Sequence, residues 1–203
     1  MIRTAIVLTF ITVGAAAAGD IELPAPRTEG GKPLMEALRE RHSSREFSPE
    51  SLSTQMLSNL LWAAWGVNRP DGRRTAPSAS NRQEVDVYVA LAEGLYLYDA
   101  REHRLRQVLG EDLRAGTGKQ PFVGQAPLEL VYVADAAKAG RARAEDQIFY
   151  SAINTGYISQ NVYLFCASEG LATVVRGLVD RDTLAKAMKL RPEQRVVVAQ
   201  SVG

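Results

Sequence analysis

Leu128-Glu129-Leu130-Val131-Tyr132-Val133-Ala134 decides the fold. Its aliphatic, β-branched and aromatic residues predict a buried strand. Downstream the apolar period changes: Ile148 to Ser168 reads as a long helix, and Asp180 to Leu190 as a shorter one capped by Asp180. Arg195 to Ser201 then supplies a terminal strand.

Upstream, Val85, Val87 and Val89 alternate with smaller or polar neighbours, Gly94 makes a turn, and Leu95 to Tyr98 continues the pattern. Glu84 to Asp99 therefore reads as a hairpin, followed by a polar turn at Arg101 to Arg104. Before it, Ser53 is placed to cap a helix in which Met56, Leu57, Leu60, Leu61 and Ala64 recur at helical spacing until Gly66, with Trp62 and Trp65 beside the stripe. Asn68 to Arg82, rich in Arg, Pro, Asp, Gly and Ser, is a loop or linker. Pro33 to Arg41 forms a first short helix with Leu34, Met35 and Leu38 on one face, ending at the polar run His42 to Arg45. This order predicts an α+β domain with helices packed around a mixed, mainly antiparallel sheet.

The composition agrees with one domain: 203 residues, 46% hydrophobic and 23% charged, are enough for a self-sufficient core. With 24 basic against 23 acidic residues, the net charge of +1 gives no basis for nucleic-acid binding. Cys166, His42 and His103 are too few and too scattered for a zinc site, so no metal is expected. Cys166 reads as a buried core thiol.

Residues 1–19 read as a secretory signal: Arg3, an apolar run from Ala5 to Val13, then the small residues Ala15 to Ala18, with cleavage near Ala18 or Gly19. The apolar run is shorter than the roughly 20 residues a membrane span needs. The expectation is an exported, periplasmic protein with no stable span after cleavage, residues 20–33 being a leader and 34–203 the domain.

Several catalytic templates fail. There is no Gly-x-Ser-x-Gly elbow, and Gly116-Thr117-Gly118-Lys119 lacks the rest of a phosphate-binding P-loop and reads as a flexible loop. The acidic pairs Glu111-Asp112 and Glu145-Asp146 fall at expected helix starts, where the dipole explains them. Arg41-His42-Ser43-Ser44-Arg45 differs: two guanidiniums four residues apart, around hydroxyls and backbone N–H groups, can clamp a phosphate.

Three segments in order carry a family resemblance. Arg41 to Phe47 (RHSSREF) resembles the phosphate loop of the nitroreductase superfamily, Ala76 to Gln83 (APSASNRQ) its PSxxNxQ loop, and Gly170 to Gly177 (GLATVVRG) the stretch after its long central helix. Glu93 to Asp99 and Gln125 to Val131 look closest to the SagB-type, azoline-oxidase-like branch. The resemblance implies an intertwined homodimer binding FMN, with ping-pong transfer of hydride or electrons through flavin N5 between small-molecule donor and acceptor.

It assigns Arg41, Ser43 and Arg45 to the flavin phosphate, with His42 lending backbone contact. Pro77, Ser78, Ala79, Ser80 and Asn81 would reach the flavin held mainly by the other subunit. Val175, Arg176 and Gly177 would lie along the isoalloxazine edge, a backbone N–H facing N5 and Arg176 adding positive charge beside the ring. No side chain is expected to be catalytic, because the flavin carries the chemistry. The tyrosines Tyr150, Tyr157 and Tyr163 read as packing. The alternatives are a SagB-like peptide azoline dehydrogenase and a non-catalytic exported flavin-binding protein.

Overall fold

The computed structural model describes residues 19–141 and 143–203, so all but the last residue of the signal expected at residues 1–19 lies outside the described residues. The strands are β1 (Ile21–Glu22), β2 (Val85–Leu91), β3 (Gly94–Asp99), β4 (Arg104–Leu109), β5 (Leu128–Asp135), β6 (Thr173–Arg176) and β7 (Gln194–Val202). The helices are α1 (Leu34–Glu40), α2 (Thr54–Trp65), α3 (Ala144–Glu169) and α4 (Arg181–Ala187). The expected hairpin, β5 and the three later elements are all present.

The seven strands form one sheet in the order β1-β4-β3-β2-β5-β7-β6. Every described pairing is antiparallel, which corrects the expected mixed sheet. The cause is topological: β5 and β6, joined through α3, run the same way, but β7 inserts between them. Strands β1 and β4 escape sequence reading because they carry little alternation; in β4 only Leu105 is fully buried.

Strand periodicity divides the core between the two faces of the sheet. Val87, Val89, Leu128, Leu130 and Tyr132 pack with Leu60, Leu61 and Ala64 of α2 and Ile158, Val162 and Cys166 of α3. Tyr88, Ala90, Val131, Val133 and Ala199 pack on the other face with Leu184 of α4 and Met188. Cys166 is a core thiol, and burial pushes its pKa up to about 12.

Helix ends follow local chemistry. Ser53 Oγ accepts from the Met56 N–H (3.2 Å), Asp180 Oδ1 from the Thr183 N–H (3.2 Å), and Gly170 closes α3 in the left-handed region at φ 75°. Residues 20–33 lie along the domain: Ser58 Oγ donates to Pro24 O (2.6 Å) and the Arg27 N–H to Asn59 Oδ1 (2.8 Å). The predicted face of α1 forms, but Leu34, Met35 and Leu38 remain exposed in the protomer, and Ala37 is the helix's buried residue.

Candidate functional site

Helix α1 ends at Arg41, whose ψ of 117° turns the chain out of the helix. The Ser44 N–H then docks on Thr173 O of β6 (3.0 Å), which brings the Arg41 to Arg45 loop to the edge of the sheet. Tyr163 of α3 joins the two: Ser43 Oγ lies 2.9 Å from its hydroxyl, the Val175 N–H donates to that hydroxyl (2.9 Å), and the Arg41 guanidinium sits 5.2 Å from its ring centroid. Two of the three sequence motifs are thus gathered around one side chain.

Among the described residues, neither Arg41 nor Arg45 has a carboxylate within ion-pair distance, as Lys32, Arg114, Arg176 and Arg191 do. Arg45, His42 and Ser43 are exposed, and His42 Nδ1 lies 2.7 Å from Glu40 O. Two uncompensated guanidiniums and a hydroxyl on an exposed loop suit a phosphate dianion. The donor set therefore fits the phosphate end of FMN.

Strand β6 is an edge, and its hydrogen-bond alternation decides which amides face outward. The Thr173 carbonyl accepts from the Ser44 N–H and the Val175 N–H donates to Tyr163, so both residues point their peptide groups outward and Val174 and Arg176 turn theirs toward β7. The same alternation turns Gly177 outward, where it is exposed and a Cβ would meet nothing within 4 Å. Of the three residues assigned to the flavin edge, Val175 has its N–H on Tyr163 and Arg176 on β7, which leaves Gly177 as the one with an outward amide not engaged by a described residue.

The Arg176 side chain corrects the expected charge beside the ring. It is buried, on the sheet face opposite α3, paired with Glu129 and donating to Thr117 O (2.9 Å), Thr117 Oγ1 (3.1 Å) and Ser201 Oγ (3.1 Å). Burial pushes the Glu129 carboxyl up and the Arg176 guanidinium down, and each partner's charge opposes that shift. The stretch Gly116 to Lys119 is likewise not a loose loop: residues 114–117 form a 3-10 turn, Thr117 is fully buried, and a side chain at Gly118 would collide with Arg176. The Glu111-Asp112 pair does not open an α-helix; Asp112 instead binds Arg114 ahead of that turn.

The loop from Pro77 to Asn81 is shaped by strain. Ser80, Asn81 and Gln83 have φ of 52°, 53° and 51°, a left-handed conformation that side chains disfavour. Gln83 clasps it: its amide donates to Gly72 O (3.0 Å) and Asn81 Oδ1 (3.1 Å), its carbonyl accepts from Arg74 Nε (2.8 Å), and its N–H donates to Ser78 Oγ (3.0 Å). Asn154 of α3 anchors the loop through the Ala79 N–H (3.3 Å). Nine residues separate Asn154 from Tyr163, about 13 Å along the helix. Within one protomer this loop therefore stands apart from the Arg41 to Arg45 loop.

A family model described as the nitroreductase family matches residues 38–203. The chain belongs to the nitroreductase family. A Methanocaldococcus jannaschii protein named as a nitroreductase is 30% identical over 181 residues, covering 84% of this chain and 91% of that one. A crystal structure of a Ralstonia eutropha JMP134 protein described as a nitroreductase superposes with a TM-score of 0.89 at 44% identity, covering 93% of this chain and 90% of that one. A Desulfovibrio desulfuricans protein described as a nitroreductase in complex with FMN shares the fold, with a TM-score of 0.62 at 22% identity, covering 86% of this chain and 87% of that one. The protein is thus a nitroreductase-family oxidoreductase.

Sequence reasoning missed three residues that organise these loops. Tyr163, read as packing, holds Ser43 and Val175 with its hydroxyl; Gln83 and Asn154 carry the strained loop. Gln83 was visible as the last residue of its motif, whereas no local signal marks the other two. A cleft of about 560 Å³ between residues 27–31 and the α2–α3 pair, walled by Met56, Trp62 and Phe165, is separate from these motifs.

Proposed function

We propose that the protein is an FMN-dependent oxidoreductase working as a homodimer, taking electrons from a small-molecule donor and delivering them to a small organic acceptor in alternating half-reactions. The convergence of Arg41, Ser43 and Val175 on Tyr163 carries this reading, because it sets unmatched positive charge beside the open edge of β6. FMN, when bound, supplies the two-electron chemistry. The chain's part is to hold the phosphate with Arg41, Ser43 and Arg45 and to present the Gly177 N–H at the ring edge.

Two observations support the dimer. The Pro77 to Asn81 loop is anchored away from the phosphate loop of its own protomer, as a segment serving the partner's flavin would be. Helices α1 and α3 also leave Leu34, Met35, Leu38, Phe149 and Tyr157 exposed, an apolar surface that a second copy would cover. The signal pattern of residues 1–19 adds export to the periplasm to the proposal.

Gly177→Val tests the placement of the ring edge. The added side chain meets open space in the protomer, so the variant folds with an unchanged melting temperature. Its FMN affinity, followed by flavin fluorescence, falls roughly tenfold, the scale of overpacking a close contact. Unchanged affinity would move the ring away from Gly177.

Steady-state turnover of the FMN-loaded protein with NADH or NADPH and a nitroaromatic or quinone tests the activity. The expected result is reduction of the acceptor with parallel double-reciprocal lines. Retained FMN without reduction by any donor would leave a flavin-binding protein without turnover. Oxidation of a thiazoline peptide in preference to these acceptors would favour the SagB-type dehydrogenase, which the segments at residues 93–99 and 125–131 resemble.

A further inference from the structure

We infer that Tyr163 is a positioning residue whose hydroxyl, held between Val175 and Ser43, sets the Ser43 hydroxyl to donate outward to the flavin phosphate. This rests on the FMN reading above. An amide N–H can only donate, so at 2.9 Å from Val175 N the Tyr163 oxygen is an acceptor. Its own single proton needs a place, and Ser43 Oγ stands 2.9 Å away. When Tyr163 donates to it, Ser43 Oγ becomes an acceptor there and its proton must point elsewhere.

The reverse arrangement, with Ser43 donating, would aim two donors at the phenol oxygen and leave the phenol proton without a partner among the described groups. Ser43 is exposed and flanked in sequence by the unmatched guanidiniums of Arg41 and Arg45, so an oxygen anion is the acceptor that this surface favours. The Tyr163 ring seats Arg41 as well, at 5.2 Å. One side chain of α3 thus fixes a donor and a cation of the phosphate loop while holding the neighbouring strand edge.

Tyr163→Phe keeps the ring and removes only the hydroxyl. The experiment measures dissociation constants for FMN and riboflavin, which differ by the phosphate, for the full chain, Tyr163→Phe, Ser43→Ala and the double variant. Tyr163→Phe is expected to weaken FMN roughly fivefold more than riboflavin, the worth of a net hydrogen bond. Added to Ser43→Ala it should cost no further FMN affinity relative to riboflavin, because the oriented donor is already gone. Equal loss for FMN and riboflavin, or additive losses in the double variant, would overturn the inference. An unmutated protein that binds riboflavin as tightly as FMN would overturn the phosphate loop itself, and the inference with it.

Discussion

Replacing Arg176 by Met lowers the unfolding free energy by about 3–5 kcal/mol, because it leaves the fully buried Glu129 carboxylate without its counter-charge. For a chain of this size that is a drop in melting temperature of roughly 6–20 °C. Three further bonds from the guanidinium, two to Thr117 and one to Ser201, go with it, so the 3-10 turn at residues 114–117 loosens as well. The pH dependence has a definite sign. Burial already raises the Glu129 pKa, and loss of Arg176 removes the largest opposing influence, so the folded variant holds its proton more tightly than the unfolded chain. Its stability is therefore fullest in acid and is lost as pH rises through the raised pKa. Urea titrations at two pH values check both statements. The paired replacement Glu129→Leu with Arg176→Met should recover much of the loss, since an apolar pair removes both desolvation costs. A single variant that loses less than about 1 kcal/mol would contradict the buried pair.

Replacing both Arg41 and Arg45 by Ala weakens FMN binding by about 3–6 kcal/mol, taking each charge-assisted contact as roughly 1.5–3 kcal/mol. Folding should be untouched, because neither guanidinium is matched by a carboxylate among the described residues and Arg41 gives up only its seat over the Tyr163 ring. Riboflavin affinity should change little, and added salt should erode FMN binding in the parent more than in the variant. Isothermal titration with both flavins reads all of this at once. An unchanged FMN constant would remove the Arg41 to Arg45 loop from the site.

What the sequence discloses depends on how far apart the partners of each interaction lie. Caps and stripes are local, so Ser53, Asp180 and the α2 stripe could be read directly, and the continuous apolar run of β5 announced a buried strand. The Arg176–Glu129 pair spans 47 positions and its Thr117 contact 59, and an arginine in a strand gives no sign of which face it takes. Glycines at 116 and 118 suggest freedom in sequence; in the fold, Gly118 is the space that the Arg176 guanidinium occupies. Tyr163 was hidden for the same reason, with its Ser43 contact 120 residues away. The charges and hydroxyls of Arg41 to Arg45 were legible because they lie close together in the chain. Whether Pro77 to Asn81 shares a site with them was not, since one protomer holds the two loops about 13 Å apart along α3.

The most direct test of the account is flavin retention. The purified protein is incubated with FMN and desalted, and its visible absorption spectrum and mass by light scattering are recorded. The expected result is a yellow dimer that keeps close to one FMN per chain. A colourless protein, or a monomer that holds FMN alone, would contradict it.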